Sequence, residues 1–416
     1  MPHFHYREQT LYVEDLPLSA VADAVSTPCY VYSATALTQA YQGYTQAFSA
    51  SDHLICYAVK ANSNLSILQH FARLGAGFDI VSGGELQRVL AIGADPAKIV
   101  FSGVGKSVAE LKLALKTGIL CFNVESISEL TRLNHVAAEL AVRAPISLRI
   151  NPDVNANTHP YISTGLRDNK FGIAYTDAQE SYRYAQTLPQ LDIVGIDCHI
   201  GSQLIDTSPL IDALDRLLHL IDQLGTQGII LKHIDIGGGI GIRYQNEALP
   251  DINAYAQQVL TRLAGRNLQI LLEPGRSLVG NAGVLLTRIE YLKMGQNKNF
   301  AIVDAAMNDL MRPSYYDAYH DILPVTRTET PTALFDVVGP VCESSDFLGK
   351  DRTLALKEGE LLAIMSAGAY GSTMSSNYNT RPRVAEVLVT QDQMHLIRKR
   401  ETFSQLIADE MTVLQP

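Results

Sequence analysis

Between residues 53 and 275, short apolar runs rich in β-branched side chains alternate with longer stretches whose apolar positions recur every three to four residues. The short runs suit strands and the three-to-four spacing suits helices, so the alternation predicts parallel strands joined by crossover helices. Eight runs are read, at 54–59, 77–81, 99–102, 120–124, 146–150, 193–199, 233–236 and 270–272. The segments between them, such as 64–74, 84–92, 107–116 and 206–224, carry the helical spacing and often begin after Ser, Asp or Asn. Eight strands with eight helices predict an α/β fold of TIM type, a closed (β/α)8 barrel.

After about residue 283 the period shortens to two, in runs at 299–303, 333–338, 361–365 and 385–390 separated by Gly, Pro and Asp-rich turns. This pattern predicts a C-terminal β-sandwich or barrel-like domain. One more strand, at 29–33, precedes the barrel and is expected to join that sheet. The organisation expected is an N-terminal segment 1–35, a barrel 36–282 and a β domain 283–416.

Composition narrows the classes. Of 416 residues 47% are apolar and 18% charged, ample for a buried core. Lys and Arg total 33 against 43 Asp and Glu, and a net charge of -10 argues against a nucleic-acid or membrane partner. Five scattered cysteines without a CxxC pair suggest neither a disulfide framework nor a zinc site, and fit a reducing cytoplasm. The first seven residues lack the apolar stretch of a leader, so an untargeted cytoplasmic protein is expected.

In such barrels chemistry gathers where strands end. The first run ends Tyr57-Ala58-Val59-Lys60-Ala61-Asn62, the second carries Asp79, the fifth Arg149, and the sixth ends His199-Ile200-Gly201-Ser202. The seventh enters Gly237-Gly238-Gly239-Ile240-Gly241 and the eighth Glu273-Pro274-Gly275-Arg276. Loops after strands seven and eight often bind phosphate, which suits the glycine loop and Arg276, although a glycine run taken alone is more often a simple turn. Neither nucleotide motif survives its spacing: Ile242 stands where a dinucleotide fingerprint needs glycine, and Val100 where a P-loop before Gly105-Lys106-Ser107 needs one.

Lys60 at a barrel mouth is expected to be desolvated, with its amine free to form an imine, against the commoner fate of a surface lysine. Glu273 is placed to hold a ring nitrogen protonated. Phosphate cradle, imine and carboxylate together describe pyridoxal 5'-phosphate, a sink for electrons left on a carbon. His199 has no ligand partner at metal spacing except its neighbours Asp197 and Cys198, so no metal is expected and stacking on a flat ring is preferred.

These strand ends, with Cys342-Glu343-Ser344, Ala367-Gly368-Ala369-Tyr370-Gly371 and the stretch 157–165, resemble the diaminopimelate-specific branch of the ornithine/diaminopimelate/arginine decarboxylase family. The matches run in order over nearly the whole chain. The resemblance implies an alanine racemase-like barrel with a C-terminal β domain, pyridoxal phosphate on Lys60, and loss of the carboxylate at the D-centre of meso-2,6-diaminopimelate to give L-lysine. It implies cofactor contacts at Asp79, Arg149, His199, Ser202, Gly238, Gly239, Glu273, Gly275, Arg276 and Tyr370. Arg276, Arg312, Tyr316, Glu343 and Tyr370 match positions that hold substrate; guanidinium groups suit its distant carboxylate and Glu343 its ammonium. Cys342 resembles the proton donor that reaches the active site of a partner subunit, which implies a homodimer. Rival readings are a decarboxylase of ornithine, arginine, lysine or a carboxylated polyamine, and a non-catalytic regulatory relative. Arg312 favours the diacid, since ornithine ends in a bare ammonium, although its loop by itself reads as polar surface.

Overall fold

The computed structural model describes residues 3–154, 169–329 and 331–414, so the stretch 157–165 lies outside the described residues. The chain divides into two compact units, one of Ala40–Ile242 and Ala248–Ser277, the other of Met1–Gln39, Arg243–Glu247 and Leu278–Pro416.

The first unit holds eight parallel strands in chain order: His53–Ala58, Gly77–Ile80, Ile99–Phe101, Cys121–Val124, Ala144–Asn151, Leu191–Asp197, His233–Asp235 and Gln269–Leu272. The eighth pairs with the first and the fourth with the fifth, so the sheet closes. Each predicted run falls on one of these strands, within two residues at the start of each. Closure turns alternate side chains inward, where Cys56, Val100, Cys121 and Leu271 pack together, fully buried.

Helices Leu65–Arg73, Gly83–Ala91, Val108–Thr117, Ile127–Glu139, Ala178–Gln186, Ser208–Thr226 and Ile252–Leu263 follow the first seven strands. Their starts are chemically specified: Asn64, Ser82, Ser107, Ser126 and Asp251 each accept a backbone N–H of the helix that follows. The eighth strand is followed by a helix of a single turn, Arg276–Val279. The helix Ala34–Ala47 precedes the first strand. Tyr41 packs on Phe71, Tyr44 hydrogen-bonds Ser277 at 2.7 Å, and the following Phe48 packs on Tyr255, so this helix covers the seam between first and last strands.

In the second unit, strand Cys29–Ser33 lies antiparallel to Gly283–Lys293 and parallel to Ala385–Thr390, and thus enters the C-terminal sheet as expected. Asn299–Val303, Ala333–Val338 and Phe347–Leu354 extend one side and Gln393–Arg398 the other. A core of Val31, Val284, Leu286, Ala363, Val387 and their neighbours holds it. The N-terminal ribbon Phe4–Arg7, Thr10–Val13 and Leu16–Pro17 packs Phe4, Leu11 and Val13 into that core.

Candidate active site

The first barrel strand ends in a single tight turn, Val59–Ala61, which carries Lys60. Its Nζ lies 2.7 Å from Oδ2 of Asp79, which is fully buried on the neighbouring strand in register with Ala58. The side chain of Lys60 is 36% exposed. Lys60 is therefore not isolated in an apolar barrel mouth but paired with a buried carboxyl group.

Glu273 is buried just past the eighth strand. Its Oε1 accepts from Ser102 Oγ at 3.3 Å and from Asn123 Nδ2 at 3.2 Å, and Asn123 also donates to Ser102 at 3.1 Å. Burial pushes the Glu273 carboxyl well above the usual range; Asp235, Asp79 and Asp197 add to the effect and Lys60 opposes it. Such a carboxyl holds its proton more tightly than a free one, which suits a hydrogen-bond partner for a ring nitrogen. Asp235, also pushed up by burial, to about 7, accepts the Gly237 N–H at 2.8 Å. Burial opposes the charge on Arg149, but Glu125 at 3.2 Å and Asp197 at 3.9 Å outweigh it and keep the guanidinium charged.

The glycine loop is dictated by close backbone approach. A Cβ on Gly238 would fall 2.3 Å from the carbonyl oxygen of Glu273, and one on Gly239, whose φ is +102°, 2.6 Å from that of Gly201. Only glycine lets the seventh loop lie between the ends of strands six and eight. Gly238 N–H donates to His199 Nδ1 at 3.2 Å, so that nitrogen is an acceptor and any ring proton sits on Nε2. Burial, with Arg149 and Lys60 nearby, lowers the His199 pKa well below normal and keeps the ring neutral. Gly275 backs onto Ala58 and Ala61. Arg276, buried, reaches Ser202 Oγ with Nη2 at 3.0 Å and Nε at 3.3 Å. The barrel thus brings together ten of the expected residues: Lys60, Asp79, Arg149, His199, Ser202, Gly238, Gly239, Glu273, Gly275 and Arg276. Ser102, Asn123 and Asp235 take part without having been expected. Of these, only Asp235 had a local signal, an Asp two residues before a glycine loop.

This donor set fits a phosphorylated pyridine aldehyde: an amine for the carbonyl, a buried acid for the ring nitrogen, a guanidinium and a hydroxyl for the anion. The loop beside Arg276 has no Cβ to fill the cradle.

The β unit carries the remaining candidates. Arg312 opens a short helix, Arg312–Tyr316, and is buried, not on the surface. Its guanidinium lies over the rings of Tyr244 at 5.2 Å and Tyr316 at 5.8 Å. Its Nε donates to His320 Nε2 at 3.4 Å, while His320 Nδ1 lies 2.8 Å from the Met365 carbonyl. A carbonyl only accepts, so Nδ1 carries the proton and Nε2 is the acceptor. Tyr370 has φ +55°, a left-handed conformation that costs a residue with a Cβ about 1–3 kcal/mol and persists where surroundings impose it. Gly368 before it is compulsory: a Cβ there would sit 1.9 Å from the Val279 carbonyl. Cys342 is exposed, its backbone N–H donating to Asn379 at 3.0 Å; Glu343, also exposed, accepts from the Tyr378 hydroxyl. The other four cysteines are buried.

A closed (β/α)8 barrel with a lysine, a buried glutamic acid and a glycine–arginine cradle at its strand ends defines the pyridoxal-dependent decarboxylase class. Residues 35–280 match the family model described as pyridoxal-dependent decarboxylase, pyridoxal binding domain. The chain is 61% identical over 406 residues to diaminopimelate decarboxylase of Neisseria meningitidis serogroup B, which covers 98% of both chains. It superposes on Helicobacter pylori diaminopimelate decarboxylase complexed with L-lysine at a TM-score of 0.93 and 46% identity, covering 95% of this chain and 100% of that one. Diaminopimelate decarboxylase of M. jannaschii, in co-complex with L-lysine, gives a TM-score of 0.94 at 36% identity, covering 99% of this chain and 98% of that one. The chain belongs to the diaminopimelate decarboxylase family. Among the described residues no helix is long and apolar enough to cross a membrane.

Proposed function

We propose that this chain decarboxylates meso-2,6-diaminopimelate at its D-centre, giving L-lysine and carbon dioxide, the last step of lysine biosynthesis. The observation that carries the reading is full-length identity of up to 61% among the relatives named above, joined to the Lys60, Asp79 and Glu273 arrangement. The L-lysine bound to two of the solved relatives agrees with that product.

When bound, pyridoxal 5'-phosphate supplies an electron sink for the charge left when carbon dioxide departs. Lys60 would hold it through its amine, which Asp79 orients. Glu273, steadied by Ser102 and Asn123, would pair with the ring nitrogen. Arg276, Ser202 and the loop at Gly238 and Gly239 hold the anionic end, with Gly275 giving close access. His199 would face the ring, Arg149 holds Glu125 and Asp197, and Tyr370 would contact cofactor and substrate. Arg312, backed by Tyr316, grips the carboxylate at the non-reacting end, joined by Arg276, and Glu343 takes the ammonium there.

Cys342 donates the proton that replaces carbon dioxide. Its exposure, with that of Glu343, supports the reading that these residues serve a second copy, so the working unit is a homodimer with shared sites. A cytoplasmic location fits a biosynthetic enzyme with free thiols. The buried Arg312 disfavours ornithine as substrate, because a buried guanidinium facing an ammonium would be repelled.

Borohydride treatment of protein loaded with pyridoxal phosphate is expected to fix the label on the Lys60 peptide, and Lys60→Ala to lose both label and turnover. A label on another lysine, or full turnover by the variant, contradicts the assignment.

A further inference from the structure

Four carboxyl groups approach one another inside the barrel: Asp79, Asp197 and Asp235 from the second, sixth and seventh strands, and Glu273 from the end of the eighth. None is more than 5% exposed. One carboxylate oxygen from each of Asp197, Asp235 and Glu273 lies within 4.8 Å of the others. Two cations face the group. Lys60 is engaged with Asp79 at 2.7 Å, and Arg149 is divided between Glu125 at 3.2 Å and Asp197 at 3.9 Å. The surrounding thiols of Cys56, Cys121 and Cys198 are pushed up by burial and stay neutral, and His199 is neutral as well. Carboxylates this close in a dry interior do not all ionise near pH 7; the group holds at least one proton.

Asp235 uses its two oxygens differently. Oδ1 accepts the Gly237 N–H at 2.8 Å, which fixes the side chain, and the carboxylate lies within hydrogen-bonding reach of Glu273. Asp235 is therefore held by its backbone neighbour with a carboxylate oxygen close to Glu273.

We propose that Asp235 is a positioning residue for Glu273, its carboxylate holding in the pair the proton that a cofactor ring nitrogen requires. The proposal rests on the reading of Glu273 as the partner of that nitrogen. The proton moves over one short step: the O–H bond of Glu273 breaks as the N–H bond forms, leaving a glutamate beside a protonated ring. The negative charge of Asp235 favours retention of the proton throughout, and nothing is oxidised or reduced.

Asp235→Asn is the discriminating variant, because its amide oxygen still accepts from Gly237 while its charge is gone. Holoenzyme prepared with pyridoxal phosphate labelled with 15N in the ring reports the nitrogen's protonation through its chemical shift. The variant is expected to lose the ring proton at a pH lower than wild type by about one unit or more, the effect of a charge at this range. Asp235→Glu is expected to restore most of the difference. A variant that keeps the ring proton as far up in pH as wild type overturns the proposal. A wild-type ring nitrogen unprotonated at every pH overturns the Glu273 reading instead. If the variants do not fold, wild-type protein freed of cofactor is expected to show the infrared band of a neutral carboxyl at pH 7 that Glu273→Gln removes. Absence of that band also overturns the proposal.

Discussion

Arg312 has committed one donor before any substrate arrives: its Nε meets His320, and two tyrosine rings flank the guanidinium plane. Burying a guanidinium is costly unless it is paired, so a carboxylate at this place gains a charge-assisted bond worth about 1.5–3 kcal/mol. Arg312→Ala is therefore expected to raise KM for diaminopimelate roughly 10- to 100-fold, with a smaller change for a diamine that has only one carboxylate. Equal losses on both substrates, measured by steady-state kinetics, count against Arg312 as the diacid grip. The burial of this arginine was not legible in the polar loop Met311-Arg312-Pro313-Ser314-Tyr315-Tyr316, because the tyrosine and histidine that enclose it include Tyr244, which is 68 positions away. Ser102 and Asn123 were hidden for a related reason. They are ordinary strand residues until closure of the barrel brings them to Glu273.

The same logic at the scale of elements explains what hydrophobic pattern could and could not reveal. The eight barrel strands and the sheet strand Cys29–Ser33 were legible because burial on both faces keeps them rich in apolar residues, interrupted by a few polar ones such as Asp79, Arg149 and Asp235. The strand Gly283–Lys293 was blurred, since its second half is partly exposed and carries Arg288, Glu290 and Lys293. The N-terminal ribbon was missed because its short strands, Phe4-His5-Tyr6-Arg7, Thr10-Leu11-Tyr12-Val13 and Leu16-Pro17, mix in polar residues and are only partly buried. Helix starts were legible through their caps, and one cap carries a titration. Glu85, in the first turn of Gly83–Ala91, accepts the Val81 N–H at 2.8 Å, and burial foremost raises its pKa from 4.5 to about 7. A folded state that binds a proton more tightly than the unfolded chain loses stability as pH rises between the two values. Wild type is therefore expected to lose stability relative to Glu85→Gln from about pH 4.5 to about pH 7, after which the gap stays constant. Thermal midpoints of both proteins across that range check this; a gap independent of pH contradicts the raised value.

For the molecule as a whole, the proposed cofactor residues lie in one unit, and the residues proposed for substrate and proton transfer, Arg312, Tyr316, Cys342, Glu343 and Tyr370, lie in the other. If Cys342 serves a second copy, mixtures of two inactive proteins should regain activity. In a dimer of Lys60→Ala with Cys342→Ala, one site carries both defects and the other carries none. Random reassortment is expected to restore about a quarter of wild-type turnover, as two-fold symmetry with shared sites requires. A mixture that stays inactive after subunit exchange, confirmed by mass analysis of the dimers, contradicts a shared site.

The central claim is a reaction, so its most direct test is a product balance. Purified protein loaded with pyridoxal 5'-phosphate and given meso-diaminopimelate is expected to release carbon dioxide and L-lysine in equal amounts, with negligible release from ornithine, arginine or lysine. Carbon dioxide without L-lysine, or preferential turnover of one of those other amino acids, would contradict it.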